Sequence, residues 1–319
     1  MRILISGNCL GGPLETAARE AGRILQLPLD VLYVRNFVGK TDQELGEDIV
    51  AFAQKADFFV QQVGLTMADP VADIVTKNAK VFRYPAVRLN FLWPFATRPH
   101  PLSLWNEPYN GNGIFNVYLS DSLLAGLMDE DPDPESVFER FMRIDPLNHA
   151  NLDRLFEVTR QQFKRNEAEC DIGMWDDIET RFRSERLFWD AGHPTWTCFW
   201  PVVEAMLQFL DIGVDAAVTK ALRSRLDPGF LLRNHDAPIH PRVAEHFGLS
   251  WWRPELRYRL DHDGWFTYDE WVRRFIGFRH DLRCYSGHWH TFKSGGDRAR
   301  GEADLRGALA DAPGNAQAR

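Results

Sequence analysis

Two short blocks in this sequence combine residue types that can do nucleophilic chemistry. The first is Gly7-Asn8-Cys9-Leu10-Gly11-Gly12, which puts a thiol where an apolar run, Arg2 to Ser6, hands over to a helical pattern beginning at Pro13. Backbone N–H groups at a helix start lack partners and carry partial positive charge. A thiol there is favoured as thiolate, and an oxyanion or phosphate is welcomed. The flanking glycines permit a sharp turn and the close approach of a ligand, which makes Gly7, Asn8, Gly11 and Gly12 candidate cofactor contacts. The run matches neither GxGxxG nor a Walker loop.

The second block is Asp190-Ala191-Gly192-His193-Pro194. An Asp three residues before a His can orient the imidazole through one ring nitrogen, leaving the other to take a proton from a nucleophile. Cys9 is therefore the candidate nucleophile, His193 the base and Asp190 its orienter. Acyl transfer also needs N–H donors aimed at a tetrahedral oxyanion. The backbone of Cys9 and Leu10, with Asn8 and Gln62 as side-chain donors, is the expected set.

Other chemical signals are weaker. Gly287-His288-Trp289-His290 offers two imidazoles with no third ligand, and Asp261-His262-Asp263-Gly264 puts Arg259 where an EF-hand needs its first acid. No metal is expected. The 11 Trp residues are expected mainly in the core, with one or two left to flank a sugar.

The elements that must position these blocks alternate in the first third. Strand patterns at Arg2 to Ser6, Leu29 to Arg35, Asp57 to Val63 and Lys80 to Tyr84 enclose helical patterns. The helices are expected over Pro13 to Leu27, over Asp42 to Ala56 after a Thr41-x-x-Glu44 capping box, and from Asp69-Pro70 to Asn78. Such an order implies a small parallel sheet with flavodoxin-like strand order, covered on both faces, with ligands beyond the C-terminal strand ends. From about Leu102 the pattern turns helical: Ser120 to Met128, Pro134 to Ile144 after Asp133, much of Leu147 to Phe188, Pro194 to Asp211 and Asp215 to Leu226. Short helices and loops are expected from Asp227 to Lys293. The expectation is an α/β fold, predominantly helical overall. Residues 1–101 form its acyl- and nucleotide-binding part, 102–293 a helical part carrying DxxH, and 294–319 an Ala- and Gly-rich disordered tail.

Over 319 residues the charges sum to 37 minus 45, or −8, without a basic run, so a nucleic-acid partner is not expected. One anionic cofactor needs only a few local donors, for which Lys40 and Arg83, with Lys77 and Arg88, lie at suitable element ends. The four cysteines lack CxxC spacing, no signal-peptide pattern opens the chain, and Glu204 and Asp211 interrupt its most apolar stretch. A cytoplasmic protein with free thiols and no membrane span is expected.

The pairing of GNC after the first strand with a late DxxHP resembles the SGNH or GDSL esterases and acetyltransferases. Cys stands here for their Ser. The GxND block is absent, with Gln61-Gln62 at the third strand end and Gly39 after the second. A closer resemblance, over roughly Met1 to Lys293, is to the WcbI family of capsular polysaccharide biosynthesis. It is carried by MRILISGNCLGG, Tyr84-Pro85, Ser120 to Leu124 (SDSLL) and the HPT of His193 to Thr195. That resemblance implies an acetyltransferase using coenzyme A and acetyl-coenzyme A to decorate a polysaccharide sugar of the 6-deoxy-heptose type. The rival expectations are an SGNH-like esterase or deacetylase and a non-catalytic saccharide-binding or scaffold protein.

Overall fold

Four parallel strands form the sheet that carries the first block: β1 (Arg2–Gly7), β2 (Asp30–Arg35), β3 (Phe58–Val63) and β4 (Lys80–Pro85), in the order β2-β1-β3-β4. The computed structural model describes residues 1–36, 45–64, 69, 71–96, 104–106, 109–112, 119–226, 236–260 and 264–277, all within the unit Met1–His280. β1 is buried from Ile3 onward because both faces are covered, so its sequence carries no polar alternation. The register sets Gly7 beside Arg35 and Ser6 beside Gln61, and pairs Gln62 with Tyr84.

The crossovers run in opposite directions from β1, which leaves the switch point between β1 and β3. The helix α1 (Gly11–Leu25) buries Leu14, Ala17, Ala18 and Ala21, spaced to fall on one face, against β1 and β2. The other face is closed by α2 (Glu47–Ala53), where Ala53 joins Leu4, Val34, Ala56, Phe59 and Val71 in a core cluster.

The strands expected from sequence are present within a residue or two, and three helices differ. The helix expected over Asp42 to Ala56 is α2 from Glu47 to Ala53, because Gly46 stands as its N-cap. α1 starts at Gly11, two residues before Pro13, and ends with Gln26 in the left-handed region at φ 55°. Residues 71–79 are turns rather than the expected helix. The Asp69 carboxylate that would have capped that helix also ties strands together, accepting from Ser6 Oγ at 2.7 Å, Gln61 Nε2 at 3.2 Å and Val71 N at 3.1 Å. Asp73, Thr76 and Asn78 favour local turns over helix interior. The Thr41 to Glu44 capping box lies outside the described residues, as do Cys284, His288, His290 and the tail 294–319.

Beyond the sheet, an antiparallel pair β5 (Leu104–Asn106) and β6 (Tyr109–Asn112) occupies part of the segment expected to be helical. The helices α3 (Ser122–Glu130), α4 (Pro134–Met142), α5 (Leu152–Glu167), α6 (Trp175–Arg181), α7 (Trp196–Phe209) and α8 (Ala216–Leu226) follow. Then come α9 (Pro241–Phe247), a hairpin of β7 (Tyr258–Leu260) and β8 (Gly264–Phe266), and α10 (Tyr268–Ile276). The hairpin was not foreseen, since three-residue strands are too short to show a period of two. The fold is mixed α/β with a helical majority among its regular elements, as expected.

α7 covers the α1 face of the sheet: the Phe209 ring lies 5.4 Å from Phe82 and 5.7 Å from Phe58. A second aromatic core surrounds Phe91, which meets Phe156, Phe182 and Phe247 edge-on at 5.1 to 5.3 Å. Phe91 is thereby fixed in the segment after β4 that holds the second block. Trp175 and Trp271 are buried, as expected for core tryptophans, whereas Trp265 is exposed.

Candidate active site

Cys9 sits two residues ahead of α1, just past the C-terminal end of β1, in a loop braced by hydrogen bonds. Asn8 N donates to Gln62 Oε1 at 2.7 Å, and Leu10 N donates to Asn8 Oδ1 at 2.9 Å. The Asn8 carbonyl accepts from Gly11 N at 2.9 Å and from the Tyr33 hydroxyl. Gly7 and Gly11 are required for packing: a β-carbon at Gly7 would collide with the Tyr84 hydroxyl, and one at Gly11 with the Tyr33 ring. The sulfur is thus held on a braced loop and is only half-buried.

The second block is an equally constrained loop between α6 and α7. Phe188 bridges Pro194, Trp189 N donates to His193 O at 2.8 Å, and Thr195 N donates to Leu187 O at 2.8 Å. Inside this tight turn Asp190 Oδ1 accepts from Gly192 N at 2.8 Å and His193 N at 3.0 Å. Thr195 then caps α7 through Cys198 N. The loop is tethered from outside by Leu89 N to Ala191 O at 2.7 Å and Ala237 N to Trp189 O at 2.8 Å.

These two loops, 184 positions apart in sequence, bring Cys9 Sγ to 3.1 Å from His193 Nε2. His193 Nδ1 lies 2.7 Å from Asp190 Oδ2. An ionised carboxylate only accepts, so the proton sits on Nδ1 and Nε2 faces the sulfur. His193 and Asp190 are both buried. Burial alone would lower the imidazole's proton affinity, but the Asp190 carboxylate and Cys9 outweigh it, and the His193 pKa stands well above the ordinary value. The arrangement can move a proton between a sulfur and an imidazole that a carboxylate orients.

The remaining expected residues divide. Of the expected oxyanion donors, the Leu10 N–H already donates to Asn8 Oδ1, and the Asn8 N–H beside it donates to Gln62 Oε1. Asn8 retains its side-chain NH2, oriented by the bond its oxygen makes to Leu10. Gln62 Nε2 is buried and has no hydrogen-bond partner among the described residues. A β-carbon at Gly12 would stand at ordinary contact distance, 3.7 Å, from the Tyr33 ring. Arg83 alternates to the opposite face of β4 from Tyr84, where its backbone N–H donates to Asp171 Oδ2 at 2.6 Å. Lys40 lies outside the described residues. No group of three or more metal-binding side chains occurs among the described residues.

Sequence reading gave Tyr33 no role and Tyr84 only a place in the family resemblance. Both lie near the C-terminal ends of β2 and β4, the neighbours of the two strands at the switch point, which is the signal that could have singled them out.

A family model described as "Polysaccharide biosynthesis enzyme WcbI" matches residues 2–214. The fold is similar to a solved structure of WcbI, described as a novel polysaccharide biosynthesis enzyme, in its native form without a disulfide bond between coenzyme A and a cysteine. The TM-score is 0.59 at 16% identity, covering 86% of this chain and 88% of that one. A search of curated proteins finds no match. Among the described residues, no helix is long and apolar enough to cross a membrane.

Proposed function

The chain belongs to the WcbI family of polysaccharide biosynthesis enzymes, and on that premise we propose that it is an acetyl-coenzyme A-dependent sugar O-acetyltransferase using Cys9, His193 and Asp190. The observation that carries the reading is the unbroken Cys9–His193–Asp190 chain of contacts at the C-terminal strand ends. The acceptor is a polysaccharide sugar, of the 6-deoxy-heptose type by family resemblance, and the site is cytoplasmic.

Bound acetyl-coenzyme A would supply an activated thioester carbonyl. His193 Nε2 holds the proton it exchanges with the Cys9 thiol, and the sulfur forms a bond to the acetyl carbon. The Asn8 side chain and Gln62 Nε2 offer donors to the oxygen as charge develops. The thioester C–S bond breaks and His193 returns the proton to the departing thiol. A sugar hydroxyl then loses its proton to His193 and attacks the acetyl group on Cys9, which restores the thiol. Exchange between two thioesters is nearly thermoneutral, which favours this covalent route over direct transfer. Asp190 keeps the imidazole in one tautomer through both halves. The residues present suit the acyl end: a braced thiol beside buried, unpaired donors is built to meet a carbonyl. Gly7, Asn8, Gly11 and Gly12 line the approach, with Lys40 and Arg83 proposed for the phosphates.

The test is a coenzyme A titration followed by melting temperature. A ligand that binds only the folded state at about 100 times its Kd adds ~2.7 kcal/mol, a rise of about 4 °C for a chain this size. A flat response at millimolar coenzyme A would contradict the assignment.

A further inference from the structure

We propose that Tyr84 donates a hydrogen bond to the oxyanion during acetyl transfer, acting with Gln62 from the neighbouring strand. The inference rests on the transferase reading above and adds to it a group that the sequence blocks did not contain.

Gln62 and Tyr84 are directly paired in the register of β3 and β4, on the sheet face that carries Gly7. They sit at the strand ends beside the switch point, where open α/β sheets bind ligands. Because Gly7 has no side chain, the Tyr84 hydroxyl and the Gln62 amide close together over it, directly behind the Cys9 loop.

Both residues are buried, and among the described residues neither Tyr84 Oη nor Gln62 Nε2 has a hydrogen-bond partner. Each has a hydrogen to give. The Gln62 oxygen is committed to Asn8 N at 2.7 Å, so its nitrogen is the free end. Burial, with Tyr33, Cys9 and Asp69 nearby, holds the phenol's pKa well above its usual value, so it keeps its proton and donates. Buried polar groups are nearly always paired, and two adjacent unpaired donors point to an absent acceptor. That acceptor is an oxygen carrying negative charge.

The transfer step supplies one. As Cys9 Sγ bonds to the acetyl carbon, the carbonyl π pair moves onto oxygen, which accepts from Tyr84 O–H and Gln62 N–H. The pair returns to carbon as the bond to the departing sulfur breaks, and His193 gives that sulfur its proton. Water is excluded from both donors, so the bonds they give are strengthened by their dry surroundings.

The experiment is single-turnover acetylation of the full chain by acetyl-coenzyme A, read by intact mass, for the wild type and Tyr84→Phe. The expected result is a rate constant reduced about 100-fold, the size of losing one oxyanion donor. The half-saturating donor concentration stays unchanged and the melting temperature is equal or higher, since an unpaired buried hydroxyl is gone. An unchanged rate overturns the inference, as does a fall in rate accompanied by a fall in melting temperature. A wild-type chain that takes up no acetyl group overturns the transferase reading and this inference with it. A normally acetylated wild type matched by Tyr84→Phe overturns the inference alone.

Discussion

Asp190 shows how much one carboxylate can do at the scale of a residue. Its two oxygens hold two backbone N–H groups and the imidazole at once, so it shapes the loop and sets the tautomer together. Asp190→Asn keeps the size and loses the charge. Transfer is expected to fall roughly 1000-fold or more, as when such a His loses its orienting acid. The same substitution has a stability signature. Burial lowers and Asp190 with Cys9 raises the His193 pKa, and the raising side wins. The stabilisation from its protonation is therefore fully present below about pH 6.5 and lost as pH rises through the higher folded value. In Asp190→Asn that alkaline loss shrinks, which urea denaturation at pH values from 6.5 upward measures. The carboxylate, imidazole and thiol that meet here were legible in sequence because GNC and DxxH are local signals. The fate of the Asn8 and Leu10 N–H groups was not, because it depends on Gln62, more than fifty positions away, and on the rotamer of Asn8 itself.

At the scale of elements, two helix caps face one cavity of about 30 Å³, enough for one or two waters. Asp121 caps α3 by accepting from Leu123 N and Leu124 N, and His240 caps α9 by accepting from Arg242 N. Burial raises the Asp121 pKa to about 6 and lowers that of His240 to about 4. The signs oppose. Asp121 holds its proton in the folded state where the unfolded chain has lost it, so its contribution falls as pH rises from 3.8 to about 6. His240 stays neutral when folded, so its contribution falls as pH drops from 6.5 to about 4. The two slopes cancel in the native chain. Asp121→Asn, which keeps the cap, should expose the His240 slope as a loss of about 2–3 kcal/mol between pH 6.5 and 4. His240→Asn should give the reverse slope over the same range. Denaturation curves at several pH values test both. The cap at Asp133 was legible from residue type at a helix start, whereas Asp121 and Thr195, expected just inside their helices, cap them instead. The turns over 71–79 and the hairpins were not legible, because strand ties to Asp69 and very short strands leave no periodic trace.

The whole molecule joins a site from two distant parts of one chain. The parallel sheet presents Cys9 at its switch point, and the aromatic core around Phe91 fixes the segment that carries Leu89 against Ala191. A braced thiol and an oriented imidazole are thereby set against each other by packing that neither block encodes. The −8 net charge fits an enzyme that holds one anionic donor through local groups rather than a field. Alternating strand and helix signals made the sheet readable. The meeting of residues 9 and 193 was expected from the chemistry of the two blocks and from resemblance, since spacing along a chain does not measure distance across a fold. The most direct test of the account is rapid quenching of the chain with acetyl-coenzyme A, followed by peptide mapping. The account predicts one acetyl group on the peptide containing Cys9, formed far more slowly in His193→Ala. Acetyl transfer to a sugar at full rate with no adduct on that peptide would contradict it.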